Sequence, residues 1–96
     1  MTTPPTDLTI VHNPAASRFE AVVDGLTCVA AYHRSGDLID MHHTGVPRAL
    51  EGRGIAAALV RAALDWAAAE GLKVRPSCSY VRVYMQRHPQ TQALRV

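Results

Sequence analysis

The sequence predicts an α/β domain: a mixed, mostly antiparallel sheet with one long crossover helix and one short C-terminal helix. Three observations carry this prediction. The first half alternates apolar and polar residues in segments separated by turn pairs, and residues 53–70 then repeat apolar residues at helical spacing. After that helix come a short apolar segment and a second helical stretch. A strand–helix–strand unit following a meander sets one parallel strand beside an antiparallel group, with a right-handed crossover helix on one face.

DLTIVHN, 7–13, reads as a short first strand closed by Pro14. RFEAVV, 18–23, puts Phe19, Ala21 and Val23 on one face, and Asp24-Gly25 is a strong hairpin signal. LTCVAAYHR, 26–34, is a β-branched and aromatic strand ended by Ser35-Gly36-Asp37. LIDMHHTGV, 38–46, points Leu38, Asp40 and His42 one way and Ile39, Met41 and His43 the other. Pro47 stops it, because proline cannot donate to a sheet ladder. In the helix 53–70, Ile55, Leu59, Ala62, Ala63 and Trp66 form one apolar stripe, with Arg53, Arg61 and Glu70 outside it. Gly71 suits its C-cap. LKVRPS, 72–77, reads as a short strand and YVRVYMQRH, 80–88, as the second helix, stopped by Pro89.

Ninety-six residues fit one domain, 1–96, with residues 1–6 a loose leader and 90–96 a tail without a clear signal. So short a chain is a minimal domain, expected as a monomer or a weak homodimer. No apolar run approaches the roughly 20 residues of a membrane span. The N-terminus lacks the basic start and apolar core of a signal peptide. Cys28 and Cys78 lie far apart with no CxxC pair, so two free thiols and a cytoplasmic location are expected. The five histidines show no zinc spacing, and no metal is expected.

Charge is unevenly placed. Residues 1–47 carry Arg18 and Arg34 against five acids, whereas 48–96 carry eight bases against three acids. A basic C-terminal half suits an anionic ligand or a solvated surface. As a nucleic-acid surface it lacks interleaved aromatics, since Trp66 falls on the apolar stripe, so no nucleic-acid partner is expected.

LEGRGIAAALVRAAL, 50–64, opens a strong helix with Gly52 and Gly54 on either side of Arg53. Each glycine costs a helix roughly 1 kcal/mol relative to alanine. Bare backbone here lets a phosphate approach the free N–H groups of the first turn and the positive end of the helix dipole. Arg53 adds a mobile positive charge. The plainer reading is turn geometry at a loop–helix junction. A Walker loop needs a Lys-Ser/Thr pair that is missing. The dinucleotide fingerprint G-x-G-x-x-A fits Gly52 to Ala57, but Pro47 to Glu51 separate it from its strand, and too little chain follows for such a domain.

The same loop resembles the pyrophosphate loop of the GNAT acetyltransferases, Q/R-x-x-G-x-G/A, with Glu51 at the position usually glutamine or arginine. Beyond the loop, the chain resembles the small single-domain GNAT-like proteins of about one hundred residues. The matching segments are His43-Thr44-Gly45-Val46-Pro47, Gly52 to Ala56, Lys73 to Val81 (K-V-R-P-S-C-S-Y-V), and Tyr84 through His88-Pro89. With the Asp24-Gly25 hairpin and Tyr32, the likeness spans nearly the whole chain.

The resemblance implies a truncated GNAT fold and an acetyl-CoA-dependent N-acetyltransferase acting on a primary amine. Acetyl-CoA or CoA would lie between the strand ending at Val46 and the strand ending near Ser77. Thr44 and Val46 would meet the pantetheine arm, and Gly52, Arg53, Gly54, Ile55, Ala56 and Ala57 the diphosphate. Cys78 stands near a helix start, where the dipole favours thiolate, with Arg75 and Arg82 beside it; it could accept the acetyl group. The matching position in the small GNAT-like family is a cysteine regarded as a candidate catalytic group. Cys28 reads as core.

His43, on the face of Ile39 and Met41, is expected either as a buried imidazole or as the base for the attacking amine. Tyr84 resembles the helix tyrosine that GNATs place near the CoA sulfur, so it stands as both a binding and a catalytic candidate. The missing N-terminal helices leave an open face, which fits a protein-borne lysine or another large acceptor. The alternative is a CoA-binding module with little or no transferase activity.

Overall fold

The computed structural model describes residues 8–96, so the expected leader lies outside them. Five strands form one sheet: β1 (Val11–Asn13), β2 (Arg18–Val23), β3 (Leu26–Ser35), β4 (Leu38–Gly45) and β5 (Lys73–Arg75). They lie in sequence order, β1 through β4 antiparallel and β5 parallel to β4. Helix α1 (Ile55–Ala69) makes the crossover, and α2 (Ser79–Arg87) follows β5. This is the predicted mixed sheet with one long and one short helix, the short one preceding a 3-10 turn over Pro89–Leu94.

The alternation in β2 holds: Phe19 and Ala21 are buried, and Val23 packs against the same core. Cys28, Ala30, Tyr32, Ile39, Met41 and Val74 continue that face across the sheet. The helices cover it with Ile55, Leu59, Val60, Ala63, Leu64, Ala67, Val81 and Met85. The stripe on α1 is therefore wider than expected, because Val60, Leu64 and Ala67 are buried while Ala62 and Trp66 are only partly so. Gly71, at φ +69°, ends α1, and the Leu72 amide donates back to the Ala67 carbonyl at 2.8 Å. The alternate residues of the strands, among them Thr27, His33 and His43, point to a face left open to solvent.

Register corrects one expectation. Along β3 and β4, Tyr32 pairs with Met41 but Ala31 pairs with His43, leaving His42 as an extra residue. Such a bulge reverses which face the following side chains take. His43 consequently lies on the open face with Ala31, not with Ile39 and Met41, and it is exposed. Thr44 moves to the core face, opposite Ala30. The tail, silent in sequence, caps the sheet edge: Arg95 bridges Val74, and the Val96 amide donates to the Val74 carbonyl at 3.0 Å.

At the other end of the sheet His12 stacks on Phe19 at 4.1 Å and shares a 2.7 Å hydrogen bond with the Tyr32 hydroxyl. Trp66 closes the cluster at 4.4 Å from His12. Burial lowers the His12 pKa below its ordinary 6.5. The folded chain thus keeps His12 neutral where the unfolded chain protonates it. Stability from this site is full above the ordinary histidine value and is lost as pH falls below it. Urea unfolding at pH 7 and pH 5 should show a larger drop in midpoint for the native chain than for His12→Gln.

Candidate active site

β4 ends at Gly45, and a 3-10 turn over Arg48–Leu50 carries the chain to the glycines. Gly52 and Gly54 adopt φ of +81° and +79°, the left-handed region that side chains resist. Gly54 is the N-cap of α1. The first bond of that helix is the Ala58 amide to the Gly54 carbonyl, at 3.1 Å. Among the described residues, the amides of 52 to 57 donate to no protein acceptor. A β-carbon added at Gly52 would meet no protein atom within 4 Å. The glycines thus turn a run of free N–H groups outward at the positive end of a four-turn helix.

Those groups open onto a groove of about 540 Å³. Thr44 and Val46 form one wall, Leu50 to Gly52 and Gly54 to Ala57 the other, and Tyr80 of α2 closes the end. Seven sequence-expected contact residues therefore meet here: Thr44, Val46, Gly52, Gly54, Ile55, Ala56 and Ala57. The groove exists because β4 and β5 part. Their pairing stops at Asp40 and Arg75, and the last tie is the Cys78 amide to the Met41 carbonyl at 2.8 Å. Beyond it, among the described residues, 42 to 46 make no backbone-to-backbone bond on the β5 side, which leaves a strand edge free to pair with an extended ligand.

Cys78 is the N-cap residue of α2 and is half-buried at this fork. Its Sγ lies 3.6 Å from Thr44 Oγ1. Burial pushes the thiol pKa up, but the Val81 amide, the Thr44 hydroxyl and the Tyr80 and Thr44 amides outweigh it and leave the thiol below its ordinary value. The side chain does not close a full capping bond to the first turn, so these amides act mainly as dipoles aimed at sulfur. The arginines expected to help are elsewhere: Arg75 is exposed on β5, and Arg82 reaches back to the Ser77 carbonyl at 3.4 Å. Cys28 differs in every respect, being fully buried with its thiol pushed up. Alkylation should therefore modify Cys78 selectively, at a lower pH than an ordinary thiol requires. Thr44→Val, lacking one donor, should shift that rate profile to higher pH, as read by mass spectrometry of iodoacetamide-treated protein.

Four expected site residues do not line the groove: Cys78, which meets it only through Thr44, and Arg53, His43 and Tyr84, which stand apart from it. The Arg53 side chain bonds Asp24 of the β2–β3 hairpin at 3.1 Å, both groups being well exposed. The His43 ring lies across Gly45, where a side-chain β-carbon would come within 3.0 Å of Nε2. Tyr84 stacks on His88 at 3.9 Å and borders a second groove between α1 and α2. Burial raises the Tyr84 phenol pKa, Arg61 opposes that, and the Asp65 and Tyr80 charges add to it. Conversely, Tyr80 was missed. Its sequence signal is an aromatic residue in the first turn of a helix; in the structure it is 40% exposed, whereas Val81 after it is buried.

Comparisons with known proteins bear on the fold and the family. A chain from Staphylococcus aureus solved by NMR in solution and described as GCN5-like superposes with a TM-score of 0.75 over 95% of this chain and 90% of that one, at 23% identity, which establishes likeness of fold. Protein NATD1 of Xenopus tropicalis is 33% identical over 95% of this chain and 86% of its own length. Protein NATD1 of Mus musculus is 35% identical over 88% and 80%. The family described as GCN5-related N-acetyl-transferase matches residues 18–94, from the first residue of β2 to the end of the last 3-10 turn. The chain belongs to that family.

Proposed function

We propose that this protein transfers the acetyl group of acetyl-CoA to a primary amine. The observation that carries the reading is the run of free amides over 52 to 57 beside the open edge of β4, two features of one groove. They fit the two chemically distinct parts of the cosubstrate. The amides and helix dipole suit a diphosphate, and the strand edge at Thr44 to Val46 suits the amide-bearing pantetheine arm.

When bound, acetyl-CoA supplies an activated acetyl thioester. The Thr44 N–H, already directed at the fork, donates to the carbonyl oxygen as charge develops there. The Cys78 thiolate attacks the carbonyl carbon, forming a carbon–sulfur bond as the CoA thiolate leaves. The acceptor amine then displaces Cys78. The amine gives up its proton to water; His43 lies on the open face, apart from the groove. Tyr84, its phenol pKa raised by burial, lines the adjoining groove, and no step requires it. A reduced Cys78 needs a reducing compartment such as the cytoplasm. The open face favours a protein-borne lysine as acceptor.

A second reading, CoA binding without turnover, draws on the bulge that turns His43 away from the groove. Calorimetric titration with acetyl-CoA, followed by release of free CoA thiol in the presence of lysine-containing peptides, separates the two. Saturable binding with amine-dependent release supports the transferase, and binding without release supports the module. Absence of binding overturns both.

A further inference from the structure

Arg53 is rooted in the glycine loop, but its side chain is engaged elsewhere. Gly52 and Gly54 on either side of it line the groove, and Arg53 does not. Its guanidinium reaches the β2–β3 hairpin instead, with Nη1 donating to Asp24 Oδ2 at 3.1 Å. Arg53 makes no other side-chain hydrogen bond among the described residues. The two side chains are 49% and 64% exposed, so water, not packing, surrounds the pair.

Asp24 and Gly25 form the two-residue turn of the hairpin, at φ +52° and +75°. A turn of this kind needs positive φ at both positions, and asparagine fills the first as readily as aspartate. Backbone geometry therefore accounts for a short polar residue at 24 but not for its charge. The tip has little else to hold it in place. Val22 and Leu26 are 67% and 39% exposed, and a β-carbon added at Gly25 or at Gly52 would meet no atom within 4 Å. Tip and loop thus face each other across open space, and among the described residues this ion pair is the one polar side-chain link between them.

A diphosphate on the amides of 52 to 57 would bring negative charge beside that same guanidinium. An exposed ion pair is weak, whereas arginine meets a phosphate as a two-pronged, charge-assisted donor. Arg53 turned onto the diphosphate gives up Asp24.

We infer that the Asp24–Arg53 pair is a latch. Asp24 holds Arg53 off the anion site, and a bound diphosphate takes the guanidinium from it and frees the hairpin tip. The inference rests on the reading of the 52–57 loop as the diphosphate site. It makes Asp24 a built-in competitor of the cosubstrate, so that by linkage whatever strengthens the hold of the tip on the loop lowers cosubstrate affinity.

Calorimetry of the full chain with acetyl-CoA tests it in four forms: native, Asp24→Asn, Arg53→Gln and the double variant. Asn-Gly keeps the turn, so Asp24→Asn removes the charge and leaves the hairpin folded. Asp24→Asn should bind about three- to fivefold more tightly than the native chain, the range an exposed ion pair supports. Arg53→Gln should bind more weakly than the native chain, and the double variant no better than Arg53→Gln. Unchanged or weaker binding by Asp24→Asn would overturn the latch and leave the diphosphate site standing. The same gain in the Arg53→Gln background would also overturn it, by showing plain repulsion between Asp24 and the ligand. No binding by the native chain would overturn the reading of the loop, and the latch with it.

Discussion

Gly54→Val should lower acetyl-CoA affinity at least a hundredfold while the chain stays folded. At φ +79° a side chain costs roughly 1–2 kcal/mol, and a β-branched one more, so the loop relaxes toward negative φ. That relaxation turns the amides of 54 to 57 away from their common focus. A hydrogen bond to a charged group contributes about 1.5–3 kcal/mol, and each 1.4 kcal/mol is tenfold in affinity. Losing two such bonds gives the predicted loss. Gly71→Ala is the matched control: it has the same kind of strain, φ +69°, and open space around the added carbon, but it sits at the far end of α1. It should lower stability by about 1 kcal/mol and leave affinity unchanged. Equal affinity in Gly54→Val and the native chain would show that the glycines serve only the turn.

Cys78→Ala should cut turnover at least about a hundredfold with acetyl-CoA affinity changed only a few-fold. The thiol lies at the fork, where the Val81, Tyr80 and Thr44 donors favour its anion, whereas the groove walls that hold the ligand are built by other residues. Cys78→Ser should behave similarly, because a serine hydroxyl in this setting has no neighbouring base and stays protonated. Mass spectrometry of the native chain mixed with acetyl-CoA should detect an acetyl adduct on Cys78, absent from both variants. Undiminished turnover in Cys78→Ser would mean direct attack by the amine and would remove the covalent step.

What sequence alone determined is local in origin. β2 spans the predicted 18–23, because strict alternation between a left-handed turn and Asp24-Gly25 leaves one register. β3 runs one residue past its predicted end, and α1 starts two residues late because Gly54 takes a left-handed cap rather than a helical turn. The run of free amides at the start of α1 was legible for the same reason. Its amides, glycines and helix end lie within six residues, and backbone chemistry needs no distant partner.

Tertiary structure decided the rest. The bulge at His42 exposes His43 and sends Thr44 inward to Cys78, a contact between residues 34 apart. Strict alternation cannot foresee it, because an extra residue in a strand is defined only by its partner strand. Arg53 was placed on phosphate by proximity, yet the hairpin brings Asp24 to within 3.1 Å across 29 residues. The Cys78 thiol is tuned by donors from the fork itself rather than by the arginines nearest in sequence, since only donors aimed at sulfur stabilise its anion. The sequence determined which backbone amides lie free at the start of α1. The sheet, by bringing distant strands to the fork, decided which side chains stand beside them.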